Sequence, residues 1–255
     1  MLFIEDLRVE LQDKIILEHI DLEIHPGETH VLFGPNGSGK TSLLMTIMGY
    51  PQYRVVGGKI EFKGEDITHL PIHERARMGI GMSYQRPPTI NGLKTRQLVR
   101  LCAGSREVDE GNLAREVNFE DFLDRDVNAG FSGGEIKRSE LLQLMAQDPD
   151  LMLFDEPESG VDMENIQLVG KTIASLLQKD LHANGEKSKM QKKLERTKMG
   201  LIITHTGYIL DYLAADKGQV LYNGRLSCIS NPREILRCVG ESGYGECVRC
   251  IAESN

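Results

Sequence analysis

The sequence Gly34-Pro35-Asn36-Gly37-Ser38-Gly39-Lys40-Thr41 follows an apolar run, Val31–Phe33, and precedes a second one, Ser42–Met48. A buried strand, a glycine-rich loop and an apolar helix in this order are typical of a phosphate-binding loop, whereas a chance glycine turn lacks this context. The glycines let successive backbone N–H groups point at one anion at a helix N-terminus. We therefore expect Lys40 to contact the β- and γ-phosphates of a nucleotide and the Thr41 hydroxyl to ligate Mg²⁺.

The composition is that of a globular protein. Of the 255 residues, 40% are hydrophobic and 27% are charged, and the formal net charge is -8. This acidic balance argues against a general nucleic-acid-binding protein. No apolar run approaches the length of a membrane span, so a role in transport would require a separate membrane partner.

The N-terminus and the cysteine content predict a cytoplasmic protein. The chain starts with Met1–Ile4 and continues at once with Glu5 and Asp6, which does not resemble a signal peptide. Five cysteines, an odd number in such a chain, indicate reduced thiols.

The order of periodic segments predicts an α/β fold. Polar and apolar residues alternate in Phe3–Leu11, Ile15–Ile24 and Lys59–Gly64, so the first sixty-odd residues are expected to be β-rich. From Leu93 to Leu123 the apolar spacing becomes helical. We interpret this part as a small helical subdomain inserted into the core, with Glu107–Asn112 as its polar loop.

A second glycine-rich stretch, Gly130–Glu135, precedes a run of strong helix formers that continues through Gln147. Ser132 and Glu135 match the capping-box template, which explains these two residues as a helix start. It does not explain Gly133 and Gly134, because each glycine in the first turn weakens a helix by about 1 kcal/mol. The paired glycines indicate close approach of another group to the backbone, such as a phosphate at the helix N-terminus.

Charged residues follow two further predicted strands. Asp155 and Glu156 directly follow the apolar run Leu151–Phe154, and His205 directly follows Leu201–Thr204. Open parallel sheets bind ligands at the carboxyl ends of their strands. Two adjacent carboxylates raise each other's pKa unless a cation lies nearby, so the pair predicts Mg²⁺ rather than a solvated acidic turn.

Two regions have no evident place in a nucleotide site. Gln178–Lys198 is lysine-rich, which is typical of a solvated connector or exposed helix, with a contact patch for an acidic partner as the alternative. Cys238, Cys247 and Cys250 form a Cys-x-x-Cys pair with a third thiol, a set that can ligate zinc or an iron–sulfur cluster. A single Cys-x-x-Cys is a weak signal, and spectator thiols are the other interpretation.

These elements resemble the ABC-type ATPase cassette over roughly residues 1–232. The corresponding motifs are Walker A (Gly34–Thr41), the Q-loop (Gln85), the signature (Phe131–Glu135), Walker B (Leu151–Asp155), the D-loop (Pro157–Asp162) and the switch histidine (His205). The resemblance implies a RecA-like core with an N-terminal antiparallel β subdomain. We expect residues 1–86 and 132–232 to form the two parts of the nucleotide-binding core, residues 87–131 the helical subdomain, and residues 233–255 a cysteine-containing tail.

The resemblance also implies that one cassette holds half of a catalytic site. Glu156 would activate the attacking water, His205 would contact the γ-phosphate, and Asp155 would reach Mg²⁺ through water, with Thr41 and Gln85 as direct ligands. The signature of a second copy would close over the nucleotide. The expected nucleotide contacts are Gly34, Pro35, Asn36, Gly37, Ser38, Gly39, Lys40, Thr41, Ser42, Ser132, Gly133, Gly134 and Asp162.

A narrower resemblance is to the SufC family, the soluble ABC ATPases of the Suf iron–sulfur cluster assembly system. The signature reads Phe-Ser-Gly-Gly-Glu rather than Leu-Ser-Gly-Gly-Gln, and Gly57–Ile67, Glu74–Arg77 and Ser159–Asp162 are also similar to that family. The resemblance implies a SufB-like or SufB–SufD-like scaffold as partner, docked on the side of the helical subdomain near the Q-loop. The nucleotide-binding subunit of an ABC membrane transporter is the alternative, and a non-catalytic ATP-gated module is a third.

Overall fold

The structure is a computed structural model that describes residues 1–179, 195–227 and 229–253. Most of the lysine-rich stretch Gln178–Lys198 therefore lies outside the described residues. The strands are β1 (Leu2–Leu11), β2 (Lys14–Ile24), β3 (Thr29–Phe33), β4 (Arg54–Phe62), β5 (Glu65–Asp66), β6 (Ile80–Ser83), β7 (Ile90–Lys94), β8 (Asp126–Val127), β9 (Leu151–Asp155), β10 (Met199–Ile203), β11 (Lys217–Tyr222) and β12 (Arg225–Leu226). The helices are α1 (Lys40–Met48), α2 (Ile72–Arg77), α3 (Thr95–Ala103), α4 (Glu110–Glu116), α5 (Gly133–Gln147), α6 (Met163–Leu176) and α7 (Pro232–Glu253).

Two sheets form the core. The N-terminal sheet is antiparallel, in the order β2-β1-β4-β5, and the central sheet has the order β12-β11-β3-β10-β9-β6. In the central sheet β11, β3, β10, β9 and β6 are parallel, and β12 joins β11 as an antiparallel hairpin. Every residue of β3, β6, β9 and β10 is buried, as expected for short apolar strands covered on both faces. The predicted α/β fold is confirmed.

The carboxyl ends of the parallel strands meet at one edge of the central sheet. Ile203 of β10 lies opposite Asp155 of β9, and Ser83 of β6 lies opposite Phe154. The segments that leave this edge are the phosphate loop after β3, Gln85 after β6, Glu156 after β9 and His205 after β10. The topology thus collects residues that are far apart in sequence, as ligand sites in parallel sheets require.

A separate apolar cluster underlies α3, α4 and the adjoining face of α5. It is closed by the stacked rings of Phe119 and Phe122, on which Phe131 packs edge-on. The buried members are Val99, Ala103, Ala114, Val117, Phe119, Leu123, Leu142 and Ala146. The cluster therefore joins residues 87–131 to α5, which carries the signature stretch.

Two local predictions for this part were wrong. The polar stretch Glu107–Asn112 contains the start of α4, because the Asp109 carboxylate accepts a hydrogen bond from the backbone N–H of Asn112 at 3.0 Å and caps the helix. The helix predicted to start at Leu93 starts at Thr95, because Leu93 and Lys94 belong to β7, which pairs with β8 as an antiparallel ribbon.

The C-terminal residues expected to form a tail are instead a packed helix. α7 is kinked at Gly243, where φ is 77° and ψ is 169°. Its Ile235 and Cys247 are buried in an apolar cluster with Val220 of β11. None of the described helices has both the length and the hydropathy needed to span a bilayer.

Arg75 fixes the far end of the helix that follows the phosphate loop. Its guanidinium is buried and donates to the carbonyls of Thr46 (2.8 Å) and Ile47 (2.9 Å) at the C-terminus of α1. It also donates to the carbonyls of Leu70 (2.8 Å) and Thr68 (3.0 Å). Burial lowers the pKa of Arg75 to about 10. One side chain thus donates to four carbonyls. The Thr46 carbonyl also accepts from the Gly49 N–H at 3.0 Å, whereas the Ile47 carbonyl lies at the helix end, where carbonyls lack intrahelical partners.

We expect Arg75→Met to lower the free energy of unfolding by about 3–5 kcal/mol, because it keeps the apolar stem but leaves buried carbonyls without donors. Urea denaturation followed by circular dichroism measures the change. Arg77→Met, on the exposed face of the same helix, is the matched control and should change stability by less than about 0.5 kcal/mol. Equal losses in the two variants would contradict the role of Arg75.

Candidate functional site

The phosphate loop has the curled backbone that its glycines predict. Gly34 has a φ of 152°, and a Cβ there would lie 2.2 Å from the carbonyl oxygen of Leu221. Gly39, at the start of α1, has a φ of 105°, and a Cβ would lie 2.7 Å from Leu17. At Gly37 a Cβ would meet nothing within 4 Å, so the outer side of the loop is open. Only glycine at the first two positions permits this path.

Lys40 lies inside this loop rather than in solvent. Its Nζ donates to the carbonyls of Gly34 at 2.8 Å and Pro35 at 2.9 Å. Burial lowers the pKa of Lys40, while the nearby Glu156 and Asp155 carboxylates oppose that change. The loop therefore encloses a positive charge at a helix N-terminus, an arrangement that fits a phosphate group.

Thr41 and Asp155 lie in contact at the same edge of the sheet. The Thr41 hydroxyl hydrogen-bonds the Asp155 carboxylate, at 3.0 Å to Oδ2 and 3.2 Å to Oδ1. Asp155 is 1% exposed, and burial raises its pKa, partly offset by the Thr41 hydrogen bond. A hydroxyl and a buried carboxylate are hard oxygen donors of the kind that Mg²⁺ prefers. The donor set thus fits the metal expected from the sequence.

Glu156 is the centre of the predicted catalytic group. Its Oε2 accepts a hydrogen bond from Gln85 Nε2 at 2.5 Å, and its Oε1 lies 2.6 Å from His205 Nε2. The backbone of Glu156 is left-handed, with a φ of 49°, and its N–H donates to the Ile203 carbonyl of the neighbouring strand at 3.1 Å. Strained backbone of this kind persists where the surrounding structure holds it and is common at functional sites. The structure thus brings Gln85, Glu156 and His205 together.

The capping box at the start of α5 is confirmed. Ser132 Oγ accepts from the Glu135 N–H at 3.4 Å, and the Glu135 carboxylate accepts from the Ser132 N–H at 2.7 Å. A Cβ on Gly133 would lie 2.0 Å from the carbonyl oxygen of Gly160, and one on Gly134 would lie 3.0 Å from Asn165. The paired glycines therefore have a reason within one chain, namely packing against the D-loop and α6.

The remaining predicted nucleotide contacts, Ser132, Gly133, Gly134 and Asp162, make their hydrogen bonds and close contacts elsewhere than at the phosphate loop. None of the hydrogen bonds among the described residues joins Ser132, Gly133 or Gly134 to residues 34–41. Asp162 caps α6, accepting from the Asn165 N–H at 2.9 Å and from the Asn165 amide at 2.7 Å. Ser132 is exposed, so its hydroxyl is accessible to another molecule.

A buried ion pair beside the site was missed by sequence reasoning. Lys137 and Glu140 of α5 are 3% and 4% exposed and lie 3.2 Å apart. Glu140 accepts from the Tyr84 N–H at 2.6 Å and the Ser83 hydroxyl at 3.0 Å, and Lys137 donates to the Tyr84 carbonyl. The pair thus holds the residue before Gln85. The i,i+3 spacing of two opposite charges on one helix is the signal that could have revealed the pair.

A groove of about 600 Å³ lies between the C-terminal end of α1 and α2. It includes Tyr50, whose hydroxyl donates to the Tyr84 hydroxyl at 2.9 Å. Its aromatic and basic lining residues are Tyr50, Tyr53, Arg54, His69, His73 and Arg75. The groove is therefore connected to Gln85 through the Tyr50–Tyr84 hydrogen bond.

Cys238 and Cys247 belong to the apolar cluster around α7. Cys247 is buried among apolar side chains, where its thiol donates to the Ile235 carbonyl at 3.9 Å, and Cys238 is partly buried. Within the described ranges no group of three His, Cys, Asp or Glu side chains could hold a metal ion. Cys228 and the side chain of Cys250 lie outside the described residues, so a zinc or iron–sulfur site remains a prediction.

Comparison with known proteins assigns the family. The family model described as ABC transporter matches residues 17–159, more than half of the chain. The protein named Probable ATP-dependent transporter SufC, of Escherichia coli (strain K12), is 37% identical over 96% of this chain and 98% of its own. Vegetative protein 296 of Bacillus subtilis (strain 168) is 35% identical over 95% of this chain and 91% of its own.

Solved structures give the same fold. A nucleotide-free ATP-binding cassette from an ABC transporter matches with a TM-score of 0.74 at 21% identity, covering 97% of this chain and 98% of that chain. The chain therefore belongs to the ABC transporter family, among its SufC-type ATPases.

Proposed function

We propose that two copies of this chain hydrolyse Mg·ATP at shared sites and thereby drive conformational change in a SufB-like or SufB–SufD-like scaffold during iron–sulfur cluster assembly, in the cytoplasm. The observation that carries the catalytic part is the position of Glu156, in contact with both Gln85 and His205 and adjacent in sequence to Asp155, which contacts Thr41 of the phosphate loop. This arrangement provides a base, an orienting amide and an imidazole beside a phosphate site.

Each residue has a distinct task in this proposal. Glu156 accepts a proton from the attacking water while the water oxygen bonds to the γ-phosphorus. The bond between the γ-phosphorus and the β–γ bridging oxygen breaks, and ADP leaves. His205 donates to the γ-phosphate, and Lys40 exchanges its loop carbonyls for phosphate oxygens. Thr41, Gln85 and Asp155 would hold Mg²⁺, which neutralises charge on the phosphates when bound.

In this proposal the donors that close over the γ-phosphate come from a second copy. The signature turn is capped within its own chain, and Ser132 is exposed. We infer that Ser132 and Gly134 of a second copy supply these donors, with Gly133 and Asp162 beside them. Losing one such preorganised donor typically costs a factor of about 10² to 10³ in rate, so an isolated copy should turn over slowly.

The scaffold would act through the groove beside α1 and α2. A scaffold element seated there would contact Tyr50, and the Tyr50–Tyr84 hydrogen bond continues to the residue before Gln85. The similarity to a protein named SufC supports a scaffold of the Suf system as this partner. Several relatives are also named ATP-dependent transporters, which keeps a membrane protein as the competing partner.

Purification from native cells under anaerobic conditions tests the choice of partner. We expect a β-rich scaffold to co-purify, and the ATPase rate of the recombinant chain to rise when the purified scaffold is added back. Iron and zinc measured on the same complex report whether it carries a cluster. A polytopic membrane protein that co-purifies and stimulates the ATPase would contradict the scaffold and establish the transporter function.

Glu156→Gln should lower kcat by about 10²- to 10⁴-fold, because an amide cannot accept the proton from water. ATP binding should persist, so an ATP-bound dimer should accumulate in size-exclusion chromatography with light scattering. Glu241→Gln, an exposed change on α7, is the control and should behave as the parent. Hydrolysis at the parent rate by Glu156→Gln would remove Glu156 from this role.

Tyr50→Phe should weaken the coupling between partner and site, because it removes the hydroxyl that bonds Tyr84 but keeps the ring. We expect the ratio of scaffold-stimulated to basal ATPase to fall by about threefold to tenfold, as for the loss of one partly buried hydrogen bond. Tyr53→Phe in the same groove is the matched control. Identical ratios in the two variants would exclude the Tyr50–Tyr84 route.

A further inference from the structure

Glu158 of the D-loop is a buried carboxylate that the mechanism above does not use. It is 9% exposed, and its Oε1 accepts hydrogen bonds from the hydroxyls of Thr204 and, at 3.0 Å, of Thr206. Its Oε2 is buried and has no hydrogen-bond partner among the described residues. Buried carboxylates usually have all their oxygens satisfied, so this arrangement calls for a reason.

The hydroxyl oxygens of Thr204 and Thr206 each accept a hydrogen bond from a backbone N–H, which leaves each hydroxyl proton for Glu158. Thr204 Oγ1 accepts from the Gly207 N–H at 2.9 Å, and Thr206 Oγ1 accepts from the Tyr208 N–H at 3.3 Å. Since a hydroxyl has one proton, each threonine donates to the carboxylate. Both threonines adjoin His205, so a single carboxylate binds the chain on either side of the imidazole.

The other end of this contact reaches the signature turn. The Ser159 N–H donates to the Glu156 carbonyl at 3.0 Å, which folds the D-loop back on the catalytic residue. The Gly160 carbonyl lies against Gly133 of the signature stretch. Glu158 therefore stands between the turn proposed to cap a second copy's nucleotide and the histidine of its own copy.

We propose that Glu158 is a positioning residue for ATP hydrolysis, which holds His205 on Glu156 by binding the hydroxyls of Thr204 and Thr206. The inference rests on the proposed function, because it gives Glu158 an effect only through His205. The hydroxyl groups that donate to Glu158 belong to the two sequence neighbours of His205, so the contact acts on the segment that carries the imidazole. We call this contact of Glu158 with Thr204 and Thr206 the clamp. It binds a segment of the chain itself rather than the nucleotide, so nucleotide affinity is not expected to depend on Glu158.

A double-mutant cycle separates positioning from a general structural role. Glu158→Leu keeps the side-chain size but removes the acceptor, so kcat should fall about tenfold while the Kd for fluorescent ATP stays within about twofold. In a His205→Ala background the same change should cost less than about twofold, because the group it positions is absent. Glu158→Gln retains an acceptor oxygen and should restore most of the loss.

Thr206→Val is the second variant and removes one arm of the clamp at an exposed residue, where folding should be unaffected. We expect about a threefold loss of kcat that disappears in the His205→Ala background. Circular dichroism confirms the fold of each variant, and the Thr206→Val pair decides if Glu158→Leu does not fold.

Equal losses in both backgrounds, or a Glu158→Gln chain as impaired as Glu158→Leu, would overturn the inference. Failure of the proposed function has a different signature. A His205→Ala chain that hydrolyses ATP at the parent rate would contradict the role of the histidine itself, whatever the effect of Glu158→Leu.

Discussion

The central parallel sheet is the constraint on which the rest of the structure depends. β3, β6, β9 and β10 are fully buried, so their backbone groups must pair with one another. Strands that run in parallel end at one edge, and the chain has to turn there in loops. The phosphate loop, Gln85, Glu156 and His205 occupy these turns, and their mutual contacts follow from strand order rather than from proximity in sequence.

Local patterns predicted much of this arrangement. The apolar runs before Gly34, Asp155 and His205 became buried strands, and the Ser132–Glu135 capping box formed as its template requires. Contacts between distant segments were not predictable, because period and propensity carry no information about which elements meet. The contact of Glu158 with Thr204 and Thr206 is of this kind, as is that of Glu140 with Ser83 and Tyr84.

The C-terminal part shows how composition can mislead. The cysteines were interpreted as part of a tail, as ligands of a metal site or as spectator thiols, yet apolar residues at helical spacing place Ile235 and Cys247 in the core. A thiol behaves there as a small apolar side chain. The paired glycines at residues 133 and 134 were interpreted through an external phosphate, and the structure adds the close approach of Gly160 and Asn165. A tight internal contact and a ligand contact demand the same residue type, so sequence alone does not separate them.

The site also shows a division of tasks between two faces of one molecule. The phosphate loop, Glu156 and His205 converge at the sheet edge, whereas the signature stretch exposes Ser132 and packs on the D-loop. Contacts through Glu158 and Gly160 link these faces within a chain. If two copies pair head to tail, the signature stretch of one copy closes over the nucleotide held by the other. The link then lets this closure affect His205 at the nucleotide of the first copy.

A mixing experiment tests that pairing most directly. Lys40→Ala removes the phosphate contact of one copy, and Ser132→Arg blocks the cap supplied by the other, so each variant alone should be inactive. An equimolar mixture forms mixed dimers with one intact composite site, and its ATPase rate should rise well above either variant, to as much as about a quarter of the parent rate. A mixture no more active than the average of the two separate variants would contradict a nucleotide site shared between copies.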